Sequence, residues 1–133
     1  GIHRAIGMQR VALLMSDRTG NELVPRKLGG RGTEEWREHF VIPKDGTGPL
    51  GPLLPHAHCS IYEPKPNAEG VAYDRWLGKV PALIGPIKAN GRLIGLFYAD
   101  NAADAYLPSK EQLSAFGHFI QTAPLCLTLL STH

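Results

Sequence analysis

The sequence predicts an α+β domain built on an antiparallel sheet, and three observations carry that prediction. The apolar runs Ala82–Ala89 and Arg92–Asp100 flank Asn90-Gly91. Asn-Gly is the pair that a two-residue type I′ hairpin turn selects, because both central residues need φ > 0. A second pair of runs, at 8–15 and 23–28, flanks Asp17-Arg18-Thr19-Gly20-Asn21, which is turn chemistry. Finally, no crossover helices alternate with these strands, so a parallel βαβ sheet is excluded.

Taken in order, residues 1–6 read as the end of a helix, with Gly7 as its terminator. The two strands of the first hairpin follow. Pro25 lacks an N–H for the ladder, so its strand is expected at an edge or with a bulge. Residues 33–40 read as a short helix, with Thr33 as cap and Glu34 and Glu35 at its positive end. Trp36, His39 and Phe40 share one face of it by spacing. Residues 43–81 are dense in Pro and Gly; Ser60-Ile61-Tyr62 reads as a short strand, and 71–77, with Tyr73, Asp74 and Trp76, as a helical segment. The strands of the second hairpin are apolar at nearly every position, which requires cover on both faces of the sheet. Ser109-Lys110-Glu111-Gln112 is a capping box that opens a closing helix bearing Leu113, Phe116 and Ile120. Pro124 is expected to kink or end that helix.

A length of 133 residues fits a single domain spanning 1–133. The charge sum, 14 − 12 = +2, gives no reason to expect nucleic acid or an anionic membrane as partner. Two cysteines, Cys59 and Cys126, make no disulfide framework, and a reducing, cytoplasmic setting is expected. No apolar run approaches the roughly 20 residues that span a bilayer. The chain opens in apparent helix and without Met, so it is expected to be a fragment of a longer protein.

Gly7-Met8-Gln9-Arg10-Val11-Ala12-Leu13-Leu14, Gly29-Gly30 and Phe40-Val41-Ile42-Pro43 together resemble a GAF domain, a sensory module of signalling proteins. So do the stretches 81–87 and 91–100, and the opening of the closing helix at Ser109-Lys110-Glu111-Gln112-Leu113. More narrowly, the chain is similar to the GAF-like region that follows the HDOD domain of bacterial signalling proteins. The resemblance implies a PAS-related antiparallel sheet of five to six strands, with the terminal helices on one face and loops and short helices on the other. That second cover, residues 31–80, would enclose a small-molecule site.

Aromatics with a few convergent polar groups are what small-ligand sites use. On that ground the expected ligand-lining residues are Trp36, Phe40, Tyr73, Asp74, Trp76, Tyr98 and Asp100, weighed against plain core filling. No cofactor is named by the sequence. The signature of cyclic-nucleotide-binding relatives is not traceable, and Gly29-Gly30-Arg31-Gly32 matches no phosphate loop.

His56-Ala57-His58-Cys59 is the one metal-like cluster, but it lacks the further Cys/His pair that a closed zinc site needs. The resemblance implies a non-catalytic regulatory domain that binds a small ligand or a partner surface and relays to an attached signalling domain, with no catalytic or metal residues expected. It would pair as a homodimer through an apolar surface of the terminal helices at Ile2, Ile6, Leu113, Phe116, Ile120 and Leu127. The alternatives are a dimerising spacer without ligand, and a thiol or metal enzyme centred on His56, His58 and Cys59.

Overall fold

A computed structural model describes residues 8–30, 32–34, 36–46, 50–55, 59–63, 81–101 and 108–121. Six strands form one sheet: β1 (Arg10–Ser16), β2 (Glu22–Gly30), β3 (Ile42–Pro43), β4 (Ser60–Tyr62), β5 (Ala82–Ala89) and β6 (Arg92–Asp100). Their order is β3-β2-β1-β6-β5-β4, and every pairing is antiparallel. Two helices, α1 (Trp36–His39) and α2 (Lys110–Gln121), and a 3₁₀ turn at Gly51–Leu53 complete the described elements. The expected helices at 1–6 and 71–77, and Pro124, lie outside the described residues.

Local chemistry accounts for both hairpins. Asn90 (φ 53°) and Gly91 (φ 77°) hold the left-handed conformations that the β5–β6 turn needs. In the β1–β2 turn, Asp17 Oδ1 accepts from Thr19 Oγ1 (2.8 Å) and from the N–H groups of Gly20 (2.9 Å) and Asn21 (3.2 Å). The Thr19 hydrogen bond, with help from those backbone donors, holds the Asp17 carboxyl below its usual range. Pro25 sits beside a bulge: the register runs from Leu13↔Lys27 to Leu14↔Pro25 and passes over Arg26. On the other side of β2, β3 pairs only with Glu22 and Leu23, so no described ladder asks Pro25 for a donor.

Strand alternation divides the core into two layers. On the inner face Ala12, Leu14, Ala82, Ile84, Leu96 and Tyr98 pack under Trp36, Phe40, Ile42, Leu50 and Leu54. On the outer face Val11, Leu13, Leu83, Phe97 and Ala99 pack with Met8 and with Phe116 of α2. Ile84 and Leu96 are fully buried, as the two-sided apolar pattern requires. The sheet is thus covered on both sides, by loops and short helices on one and by α2 on the other.

Two local expectations need correction. The helix expected over 33–40 is confined to Trp36–His39. The Thr33 hydroxyl donates to the Gly30 carbonyl (3.1 Å), while the residue's own carbonyl accepts from Trp36 N (3.0 Å). The second correction concerns the apolar surface assigned to pairing. Phe116 is fully buried against the outer face and Leu113 packs beside it, because the apolar sheet lies directly beneath α2. Ile2, Ile6, Leu127 and the Ile120 side chain lie outside what is described. The capping box forms as expected, with Gln112 N donating to Ser109 Oγ (3.0 Å) and Ser109 N to Gln112 Oε1 (2.9 Å).

Candidate functional site

The inner-face register brings two charges together. Arg10 opens β1, Asp100 ends β6, and the antiparallel ladder sets them opposite each other. Arg10 Nε donates to Asp100 Oδ1 and Nη2 to Oδ2, both at 2.8 Å. Such a two-pronged, charge-assisted contact is the strong form of this interaction. Tyr98, two residues earlier on the same face of β6, donates its hydroxyl to Asp100 Oδ2 at 2.5 Å. Asp100 is fully buried and the Arg10 side chain is 14% exposed. The carboxylate therefore accepts three hydrogen bonds in place of the water it has lost.

Trp36, at the start of α1, roofs this network. Its ring centroid lies 4.6 Å from the Arg10 guanidinium carbon, within cation–π range. Trp36, Phe40 and Tyr98 form an edge-to-face triangle, with centroids 4.9 Å (Trp36–Phe40), 5.2 Å (Phe40–Tyr98) and 5.7 Å (Trp36–Tyr98) apart. All three rings are buried, yet Trp36 Nε1 has no hydrogen-bond partner among the described residues.

Burial pushes the Tyr98 hydroxyl well above its ordinary pKa, and the negative charge of Asp100 and the hydrogen bond to it add to the rise; Arg10 opposes. Burial also works against the Arg10 charge, but the hydrogen bond and charge of Asp100 outweigh it and raise the guanidinium pKa. The Tyr98 shift has a consequence for alkaline stability. Below about pH 10 both the folded and unfolded chains keep the phenol protonated and the stability is present in full. Above that value the unfolded chain releases the proton while the folded one retains it, so stability falls as pH rises toward the folded value. Thermal melts between pH 9 and pH 11, bounds set about one unit either side of the free tyrosine value, are expected to show a steeper fall in wild type than in Tyr98→Phe.

Of the seven residues expected to line a ligand site, Trp36, Phe40, Tyr98 and Asp100 converge here; Tyr73, Asp74 and Trp76 lie outside the described residues. Arg10 was not among them. Its signal was present: a lone cation opens one apolar run and a lone carboxylate closes another, and antiparallel pairing sets them opposite. Asn101 extends the network, donating from Nδ2 to Gln112 Oε1 (3.3 Å) at the start of α2. His56 and His58 are outside the described residues. Cys59 is half-buried against the outer-face cluster, and burial pushes its thiol up, away from the thiolate that nucleophilic or metal chemistry uses.

No protein-family model and no curated protein sequence matches the chain. Solved structures do. A GAF domain/HD domain protein from Geobacter sulfurreducens superposes with a TM-score of 0.73 at 14% identity, over 99% of this chain and 88% of that one. Residues 122 to 287 of a methyl-accepting chemotaxis protein give 0.71 at 19% identity, over 99% of this chain and 85% of that one. The free methionine-R-sulfoxide reductase of Neisseria meningitidis, solved in complex with its substrate, gives 0.60 at 19% identity, over 90% and 67%. Further matches are GAF domains by name. The chain has the GAF fold, an α+β fold shared by domains of multidomain signalling proteins and by at least one enzyme. Among the described residues no helix is long and apolar enough to cross a membrane.

Proposed function

We propose that this domain is a non-catalytic sensory module of a bacterial signal-transduction protein. It binds a small molecule on the inner face of the sheet and relays its presence to an attached domain. One observation carries the reading: the Arg10–Asp100–Tyr98 network is buried between the sheet and the Trp36 cover, and it is wired to α2. Asp100 is followed by Asn101, whose amide holds Gln112, and Gln112 closes the capping box of α2. At the other end, Gln9 N donates to the Asp100 carbonyl (3.1 Å), so the same residue pins the strand that emerges from the N-terminal segment. A ligand that shifts Trp36 shifts the roof of Arg10, and through Asp100 the two places where the terminal segments join the sheet. Differential affinity for two arrangements of this network is all that signalling requires.

The chemotaxis and GAF/HD proteins that share the fold support the signalling setting. The reading extends to a cytoplasmic location, to an upstream HDOD domain, and to a homodimer paired through the terminal helices. With Phe116 committed to the sheet, such pairing uses other residues of those helices. The raised Cys59 thiol speaks against the enzymatic alternative, although the reductase shows that the fold accommodates catalysis.

A thermal-shift screen of metabolites, haem and cyclic nucleotides tests the proposal. A ligand at about 100 times its Kd raises stability by about 2.7 kcal/mol, a shift of roughly 5–15 °C in melting temperature for a domain of this size. Uniformly flat melts would instead support a spacer whose aromatic triangle is simply core.

A further inference from the structure

We propose that the ligand of this site is an uncharged molecule whose oxygen or nitrogen acceptor takes a hydrogen bond from Trp36 Nε1. This rests on the preceding reading that a small molecule enters the inner-face network. Trp36 is wholly buried at the meeting of the cover and the sheet, and its indole N–H is the one buried side-chain donor left without a partner among the described residues. Native interiors rarely leave such a group unmet, because the donor has given up water and received nothing in return.

The neighbouring polar groups are already committed. Both carboxylate oxygens of Asp100 are held by Arg10, and the Tyr98 hydroxyl donates to one of them. The positive and negative charges therefore match one to one, and the buried phenol remains neutral. A charged ligand would enter this layer without a counter-charge, which is costly away from water. A neutral ligand with one acceptor satisfies the indole and leaves the ion pair intact.

Benzamide and benzoate form a matched pair of probes, sharing a ring and differing in charge. Each is titrated into the ¹⁵N-labelled protein while the two indole N–H resonances are followed. The Trp76→Phe variant tells Trp36 from Trp76. Benzamide is expected to move the Trp36 resonance saturably, to bind about tenfold or more tightly than benzoate, and to weaken by about tenfold in Trp36→Phe. Should Trp36→Phe fail to fold, the wild-type spectra alone decide. Benzoate binding as tightly as benzamide overturns the neutral class. Benzamide binding that leaves the Trp36 resonance still, with undiminished affinity in Trp36→Phe, overturns the acceptor site while the sensor reading stands. Binding of neither probe also overturns this inference, whereas the sensor reading falls only with a flat melting screen.

Discussion

Replacing Asp100 with alanine is expected to destabilise the domain by about 3–5 kcal/mol, the range for breaking a buried ion pair by removing one partner. The cost has two sources. Arg10 is left as a largely buried cation with no counter-charge, and the Tyr98 hydroxyl loses its acceptor. Asp100→Asn keeps the shape and one acceptor but still strands the Arg10 charge, so it too is expected to be strongly destabilising. The double variant Arg10→Met/Asp100→Leu removes both charges and fills similar volume. By the same principle removing both charges together is near neutral, so the variant is expected to lose only about 1–3 kcal/mol, the cost of the Tyr98 hydroxyl left without its acceptor. Urea melts of the four proteins test this. The pair would then be dispensable for folding, and its retention would be explained by the coupling of Trp36 to α2.

Phe116→Ala is the second large effect, expected at about 3–5 kcal/mol. Phe116 is the fully buried anchor of α2 on the outer face, where it meets a cluster that includes Leu83, Ile87 and Phe97. Truncating it leaves a cavity bounded on one side by a rigid sheet, which cannot close over the gap as a loop would. Ser114→Ala, at an exposed position of the same helix, is expected to change stability by less than about 0.5 kcal/mol. Denaturant melts that place the two variants within error of each other would remove α2 from the outer core.

The sheet was legible because its signals are local. Asn90-Gly91 fixes a turn, the Ser109/Gln112 box fixes a helix start, and unbroken apolar strands demand two covered faces. Pro25 announced its bulge through its missing donor. The site was legible only in part. Trp36, Phe40, Tyr98 and Asp100 could be chosen as aromatics and a carboxylate, but Arg10 joins them only through the β1–β6 register that sets it opposite Asp100. Pairing partners 90 residues apart leave no spacing signal in a single sequence. The surface assigned to pairing failed at Phe116 because helical spacing reports an apolar face without saying what covers it.

The central claim is that ligand occupancy beneath Trp36 reaches α2 through the Arg10–Asp100 pair. Hydrogen exchange measured with the compound that most raises the melting temperature tests it directly. The account predicts added protection both at 36–54 and at 110–121 in wild type, and loss of the effect at 110–121 alone in Arg10→Met/Asp100→Leu. Protection that rises at 36–54 while 110–121 exchanges unchanged in wild type would contradict it.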